Sequence, residues 1–314
     1  SSSGDTLWEV SVDDSQADIF SNFKHVAKSN GEILFFPTYA YEDSGEQYKI
    51  KKLNSSNGEI TNVAFNGYIS GNFMRVAEID NNDNIYISSN VNDNSTNSNL
   101  AKYDSDLNLL WSISVTDNGT GNQNAYVFDI EYDSLNNLLY VFGQARSAEL
   151  NPLGTSVIAT NNANSGAYFA VYNTEGILQF SHGFETDINS NFYNHDYRTL
   201  EIFDNKLVLR GYFSGYIDFD VTDGIFYTPL NGVNNGDFLS IYDLTNGLNF
   251  TGQYFDRNSL FSYKDLLYKN DKIKRGGVNS GYASNFMDYD GSSWLEPSDA
   301  YTNVNNSNSS YGAN

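Results

Sequence analysis

Three glutamates, Glu78, Glu131 and Glu201, recur at matching places in three similar phrases: VAEIDNNDNIYIS (76–88), FDIEYDSLNNLLYVFG (128–143) and TLEIFDNKLVLRG (199–211). Carboxylates brought to one spot from separate segments can do two kinds of chemistry. They can supply the acid and the nucleophile or base of glycoside hydrolysis, or they can seat a divalent cation such as Ca2+ among oxygen ligands. A plain structural use leaves the same pattern, with each carboxylate hydrated or paired with Lys24, Arg75 or Arg198. Spacing alone does not choose between these uses, so the three glutamates stand as catalytic or cation-binding candidates.

A second group is set by loops. His182 and His195 flank GFETDINSNFYN, which carries Glu185 and Asp187 and is followed by Asp196. Their separation matches no zinc-ligand spacing, so a polar loop is the simpler reading. His25 opens a strand and packs there. DNNDN (80–84) is rich in oxygen but lacks the length, glycine and terminal glutamate of an EF-hand, and it reads as a hairpin turn. Two connections are longer than a turn requires, SAELNPLGTSVIATNNANSG (147–166) and VTDGIFYTPLNGVNNG (221–236). Long connections on a rigid scaffold often carry recognition. Phe226 and Tyr227, with His182 and His195, are therefore the ligand-binding candidates, although Phe226 and Tyr227 would equally suit an outer-edge strand.

Several chemistries are excluded by composition. The chain has no cysteine, so it has no disulfide, thiolate metal site or thiol nucleophile. It contains no glycine-rich phosphate loop, nucleophile elbow or HExxH. Lys and Arg number 17 against 39 Asp and Glu, a formal charge of -22, and a chain so acidic cannot neutralise a row of phosphates. No run of about 18 apolar residues suggests a membrane span. SSSGDT at the start has neither the charge nor the apolar stretch of a signal peptide, which is read as removed or never present. An acidic, Asn-rich, cysteine-free surface points to a secreted or cell-surface address.

The elements that would position these residues come from a repeat. The glutamate phrases are joined by KDLLYKNDKIKRG (264–276) and, more loosely, HVAKSNGEILFF (25–36). A second phrase closes each unit: YKIKKLNSSNGEI (48–60), LAKYDSDLNLLWSISV (100–115), YFAVYNTEGILQFSHGF (168–184), FLSIYDLTNGLNFTGQYF (238–255) and NFMDYDGSSWLE (285–296). Each phrase alternates aliphatic or aromatic residues around an Asn/Asp/Gly turn, the pattern of a β-hairpin. Two hairpins per unit give a four-stranded antiparallel sheet, and the recurrence of such sheets predicts an all-β β-propeller with five blades. In the first and fifth units Ala27 and Leu267 occupy the glutamate position. The recurrent pairs Tyr103-Asp104, Tyr242-Asp243 and Tyr289-Asp290 read as packing and turn residues. Each Asp opens a tight turn, and each Tyr sits between blades with its hydroxyl at the rim. Trp111 and Trp294 read as core.

These residues also resemble a family. NLAKYDSDLNLLWSISV is similar to the closing half of the SBBP-type bacterial β-propeller repeat, which runs roughly Ala-Lys-Tyr-Asp, turn, Gly, Leu, Trp. GYFSGYIDFD (211–220) followed by GDFLSIYDLTNG (236–247) resembles the Gly-x-Phe-x-Gly-x-x-Asp-Phe segment and the strand after it. The resemblance implies a secreted or cell-surface protein of the Bacteroidota kind, and usually seven blades, so six or seven remain open beside the five units of the repeat. It covers the second to fourth units well, the first and fifth loosely, and not the tail. Asp5-Thr6-Leu7 and Asp133-Ser134-Leu135 fit the O-glycosylation pattern of the same bacteria.

LWEVSV (7–12) echoes LNLLWSISV (107–115), a closing strand, without a unit of its own in front. Such a strand would close the ring by completing the last blade, which removes an exposed edge. Residues 1–297 are then the propeller, and 298–314 form a polar low-complexity tail or linker. The expected function is a non-catalytic binding or scaffold module with no cofactor, recognising a protein or glycan through loops on one face. The alternatives are a carbohydrate-active propeller enzyme using the channel carboxylates, or an accessory subunit of a larger surface assembly.

Overall fold

The computed structural model describes residues 23–37, 49–64, 74–90, 98–117, 125–145, 147–150, 157–159, 166–184, 191–192, 199–214, 218–221, 235–245, 247–256, 261–269, 272–279, 287–289 and 294–295. Alternating apolar residues between Asn/Asp/Gly turns produce strands and, among the described residues, no helix. The chain divides into two compact units, Ser1–Asn189 and Ser190–Asn314.

The first unit holds three antiparallel sheets taken in chain order. Sheet 1 is β1 (Phe23–Ala27), β2 (Glu32–Pro37), β3 (Lys49–Asn54) and β4 (Ile60–Ala64). Sheet 2 is β5 (Met74–Ile79), β6 (Ile85–Asn90), β7 (Ser98–Tyr103) and β8 (Leu109–Asp117). Sheet 3 starts with β9 (Tyr126–Asp133) and β10 (Leu138–Ala145). The chain then leaves it through two short strands, β11 (Ser147–Glu149) and β12 (Val157–Ala159), and returns as β13 (Gly166–Asn173) and β14 (Leu178–Gly183).

The second unit repeats the plan. After β15 (Asn191–Phe192) come β16 (Thr199–Phe203), β17 (Lys206–Ser214), β18 (Asn235–Asp243) and β19 (Asn249–Asp256). β15 and β16 both pair with β17. A further sheet follows as β20 (Phe261–Lys269), β21 (Lys272–Asn279), β22 (Met287–Tyr289) and β23 (Trp294–Leu295). All five sequence units therefore appear as antiparallel sheets of the expected order. Residues 7–12, the tail and Asp5-Thr6-Leu7 lie outside the described residues, as do the side chains of Tyr289 and Trp294.

In the first unit the sheets pack face to face, and strand alternation divides sheet 2 between two cores. Ile85, Ile87, Ala101 and Tyr103 join Val26, Leu34, Phe36 and Ile50 of sheet 1. Their neighbours Tyr86, Leu100, Ile113 and Val115 join Val127, Ile130, Leu139, Val141 and Tyr168 of sheet 3. A sheet buried on both faces needs near-continuous apolar strands, which is why β6, β10 and β13 carry so few charges. The first strands lie side by side, β5 against both β1 and β9.

The turns share one construction. At Lys28–Glu32, Asp80–Asn84, Asp104–Asn108 and Asn173–Ile177, the first residue's N–H donates to the fifth residue's carbonyl and the fourth residue's N–H donates to the first's. The fourth residue takes positive φ: Gly31 at 85°, Asp83 at 60°, Leu107 at 67° and Gly176 at 80°. This is a three-residue hairpin loop with a left-handed closing residue. Asp104 Oδ1 accepts from the N–H groups of Asp106 (2.9 Å) and Asn108 (2.8 Å), and Asp243 Oδ1 accepts from Thr245 N–H (2.8 Å). The Asp of both described Tyr-Asp pairs thus opens a turn, as expected.

The loop between β16 and β17 differs, with Asp204 (φ 48°) and Asn205 (φ 55°) both left-handed in a two-residue hairpin. Such a turn favours glycine at its second position. Asn205→Gly is expected to stabilise the chain by about 0.5 kcal/mol, read as a higher urea midpoint at unchanged m-value; a lower midpoint would contradict the turn assignment.

The structure corrects two details of the sequence reading. Register places Glu78 opposite Tyr86 and Ile79 opposite Ile85, while Ala27 lies opposite Ile33. The sheet 1 residue equivalent to Glu78 is therefore Val26, one before Ala27, because the turn after it starts at Lys28. Tyrosines on the third strand of a unit also keep their hydroxyls inside. Tyr172 donates to Leu150 O (2.7 Å) and Tyr242 to Phe219 O (3.0 Å), all four residues being buried, since a carbonyl entering from the preceding connection satisfies each phenol away from any rim.

Candidate functional site

The polar groups of the first unit concentrate along the seams between sheets. At the seam of sheets 1 and 2, the turn of one grips the turn of the other. Ser29 N–H donates to Asp83 Oδ1 (2.8 Å) and Ser29 Oγ to Asp83 Oδ2 (2.6 Å). These bonds, the hydroxyl's first, hold the Asp83 carboxyl below its ordinary range. Glu32 at the same end is held at about 2, chiefly by the Lys52 ammonium at 2.9 Å, with Asn30 and Lys28 (3.2 Å) assisting.

Sheets 2 and 3 meet in a larger network. Asp80 is buried, and its Oδ1 accepts from Asn82 N–H (2.8 Å), Asn84 N–H (2.9 Å) and Asn84 Nδ2 (3.1 Å). Its Oδ2 accepts from Asn84 Nδ2 (2.8 Å) and Tyr86 Oη (2.9 Å), with Lys102 Nζ at 3.8 Å. Lys102 reaches across to donate to Thr174 O of sheet 3 (3.0 Å) and lies over the Tyr86 ring at 5.3 Å. Trp111 Nε1 donates to the same Thr174 carbonyl (3.0 Å). The Trp111 ring rests on Gly176, where a Cβ would come within 3.0 Å of it. Trp111 is half-buried and packs against the core shared by sheets 2 and 3, in keeping with the core reading, with its indole N–H at the seam. The DNNDN turn is a hairpin turn whose carboxylate is already supplied with donors.

The three glutamates occupy matching first strands, at Glu78↔Tyr86, Glu131↔Tyr140 and Glu201↔Val208. Glu78 lies on the same face of β5 as Val76, which belongs to the core shared with Val127 and Ile130. Ile130 and Tyr132 face sheet 2, so Glu131 between them leaves β9 on the other face. β9 therefore lies between Glu78 and Glu131. Glu201 is half-buried on β16 of the second unit. Lys24, Arg75 and Arg198 lie outside the described side chains.

Glu78 is chemically the most unusual of the three. Burial pushes its carboxyl up to about 7, against a backbone hydrogen bond at Ile79 that lowers it, and the charge of Asp129 on β9 adds to the rise. Asp129 escapes a reading of the sequence because a β-bulge at Phe128 interrupts the alternation of β9. The raised value carries a sign. The folded chain holds a proton at Glu78 that the unfolded chain releases near 4.5, so the penalty is absent below that pH, grows between 4.5 and about 7, and is complete above. At face value it amounts to about 3 kcal/mol, and to about 2 after allowing for water at a half-buried group. Glu78→Gln is accordingly expected to stabilise the chain by about 2 kcal/mol at pH 8 and by almost nothing at pH 4; equal effects at both would refute burial as the cause.

Of the loop candidates, His182 is described and the others are not. It stands on β14 opposite Phe169, stacked on Phe180 (6.5 Å, 3°) and edge-on to Phe184 (5.5 Å). It is thus part of an aromatic row on an outer strand. His195, Phe226 and Tyr227 lie outside the described residues, as do Glu185, Asp187, Tyr193 and Asp196. His25 is exposed on β1 beside Phe35 (5.9 Å). Among the described residues, no group of three or more His, Asp or Glu is placed to hold a metal ion.

The insertion at 147–166 has a structural use that its sequence did not suggest. β11 pairs with β8, Ala148 opposite Asp117 and Glu149 opposite Thr116, and β12 pairs with β11. A segment of sheet 3 thereby extends the outer edge of sheet 2, and Tyr172 fixes its root at Leu150.

No family model matches the sequence, and no curated protein matches it either. Solved structures similar to it include the β-propeller domain of the Trilobed protease from Pyrococcus furiosus, at 11% identity over 87% of this chain and 84% of that one, with a TM-score of 0.39. Lignostilbene dioxygenase from Pseudomonas brassicacearum matches at 15% identity over 88% of this chain and 55% of that one, with a TM-score of 0.41. The extracellular domain of a one component system from B. thetaiotaomicron matches at 11% over 92% of this chain and 37% of that one, with a TM-score of 0.36. The chain thus spans about half the length of the dioxygenase. These likenesses reach no further than an all-β architecture that β-propellers share. Among the described residues no helix is long and apolar enough to cross a membrane.

Proposed function

We propose that the chain is a secreted or cell-surface β-propeller of the SBBP-repeat kind that works as a non-catalytic binding or scaffold module for a protein or glycan. In this reading residues 1–297 form five blades, residues 7–12 complete the last blade, and 298–314 are a tail. One observation carries the reading, namely where the recurring polar residues go. Asp80, Asp104, Asn173 and Asp243 each build a turn, and Lys102, Trp111 and Tyr172 each tie connections or sheets together. Repeated chemistry serves the scaffold, so recognition falls to the parts that do not repeat. Those are the connections at 185–198 and 221–236, with His195, Phe226 and Tyr227, flanked by His182.

The alternative, a carbohydrate-active enzyme, is favoured by one observation: burial pushes the Glu78 carboxyl up to about 7, into the range a general acid requires. A glycan array probed with the labelled chain, alongside a pull-down from bacterial cell surfaces, separates the two readings. The binding reading expects capture that survives Glu78→Gln combined with Glu131→Gln and Glu201→Gln but is lost in Phe226→Ala with Tyr227→Ala. Cleavage of an arrayed glycan that is abolished by the three glutamine substitutions would establish the enzyme instead.

A further inference from the structure

One pair of positions breaks the repeat. In sheet 3, Gly143 pairs with Tyr168, whose ring lies against the glycine and faces sheet 2. Gly143 lies four residues after Leu139, and Tyr168 four before its partner Tyr172. The same steps from Ile85 and its partner Tyr103 give Ser89 paired with Asn99 in sheet 2. A buried phenol is thus exchanged for a short amide, and with no ring above it position 89 carries a side chain. Both residues are as deep as the core, Ser89 at 3% and Asn99 at 8% exposed, on the face that carries Ile87 and Ala101 toward sheet 1. Ser114 of β8 stands opposite Asn99 and donates its hydroxyl to Asn99 Oδ1 (3.0 Å). That bond fixes the amide and leaves Asn99 Nδ2 and Ser89 Oγ without a partner among the described residues. Neither atom is sealed from solvent, so a group from outside can reach them. Deeply placed donors without acceptors are costly, and a polar partner that comes and goes accounts for them.

We propose that the row Ser89, Asn99 and Ser114 is a subsite for the hydroxyl groups of a neutral sugar. The inference rests on the binding reading above and narrows its ligand to a neutral glycan. β6 runs from the turn at Asp80–Asn84 to Asn90, and β7 returns from Ser98. The row therefore lies beside the connection 91–97, at the end of sheet 2 opposite its hairpin turns. The donor set selects the ligand. Two hydroxyls that donate and accept, with an amide nitrogen that donates, match the mixed donor and acceptor character of adjacent sugar hydroxyls. No lysine or arginine belongs to the row, and a chain of charge -22 repels an acidic sugar. A peptide side chain finds no apolar surface there, because Ile87 and Ala101 are committed to the core with sheet 1. The ring that Tyr168 places in sheet 3 and Asn99 does not place in sheet 2 is the volume assigned to the sugar.

Heteronuclear NMR of the full chain tests the subsite, with glucose, galactose, mannose and N-acetylglucosamine as probes and glucuronate as the charged control. At least one neutral sugar is expected to shift the Asn99 side-chain amide and the Ser89 backbone amide saturably, with an affinity at least tenfold above that of glucuronate. Ser89→Gly with Asn99→Tyr installs the sheet 3 pair. It should fill the place and abolish the shift while the urea midpoint stays at or above that of the wild type. Ser89→Ala with Asn99→Ala removes the donors without filling the place, and should weaken binding at least tenfold even if the first variant fails to fold. The subsite is overturned if no neutral sugar gives a saturable shift, if glucuronate binds as tightly, or if the shift survives either folded double variant. The glycan array separates this failure from that of the binding reading. Capture lost in both double variants supports the subsite; capture that persists in them but is lost in Phe226→Ala with Tyr227→Ala overturns the subsite and leaves the binding reading standing.

Discussion

Gly143→Ala is expected to destabilise the chain by about 3 kcal/mol. Gly143 sits in β10 opposite Tyr168 of β13, where the tyrosine ring lies against the glycine and its hydroxyl donates to Tyr126 O (3.1 Å). A Cβ at 143 would collide with the Tyr126 carbonyl and with the end of the Tyr168 ring. The ring is fully buried and the carbonyl is backbone, so neither can yield cheaply. An aromatic residue covering a strand glycine is a known device for fixing register. Urea unfolding measures the loss, and Gly143→Ala with Tyr168→Leu should recover only part of it because the Tyr126 carbonyl remains. A loss under about 1 kcal/mol, the range of an ordinary exposed substitution, would mean that β10 and β13 do not pair as described.

Asp80→Ala is expected to cost a similar amount, about 3 kcal/mol, by a different mechanism. Removing this carboxylate strands a buried ammonium and a buried phenol, Lys102 and Tyr86, and breaking a buried pair from one side is far more damaging than losing a surface one. The figure lies at the lower end of the range because Lys102 is 3.8 Å away and keeps its bond to Thr174 O. Asp104 provides the internal control. It opens the same kind of turn with the same acceptor pattern, but its bonds are exposed and run to the turn's own N–H groups and the Asn108 amide. Asp104→Ala should therefore cost about 1 kcal/mol. The difference between the two substitutions isolates the seam from the turn, and equal losses would show that the Asp80–Tyr86–Lys102 network contributes nothing.

Most of this architecture could be read from the sequence, because its causes are local. Alternation and turn residues fix a hairpin within a dozen positions, and LAKYDSDLNLLWSISV becomes β7, turn and β8 with Asp104 capping the turn. What was not legible depends on neighbours distant in sequence. Lys102 in LAKYD has the look of a solvated side chain, yet it is buried because Thr174, Asp80 and Tyr86 surround its ammonium. The strands β11 and β12 are three residues each within an Asn-rich insertion, too short for periodicity, and only the open edge of β8 makes them strands. Val26 rather than Ala27 matches Glu78 because the turn's hydrogen bonds, which the sequence does not display, set the register. The candidate site was legible as residue types and as recurrence, whereas the direction of each glutamate was not. A first strand packed on both faces has no polar side to reveal it. Asp129, the neighbour that matters to Glu78, lay hidden behind the bulge at Phe128.

The first unit depends on the stacking of consecutive sheets in chain order, turn against turn, by their recurring polar residues. The chain lacks cysteine, so a single engineered pair can form only one intramolecular disulfide. Ser29→Cys with Asp83→Cys replaces the clasp between sheets 1 and 2, where the two side chains approach to 2.6 Å. Mild oxidation of the dilute protein, followed by mass spectrometry of tryptic peptides under non-reducing conditions, is predicted to yield the 29–83 cross-link rapidly in the native chain and not in urea. A native chain that leaves both thiols free, or that links only between molecules, would contradict the stacking.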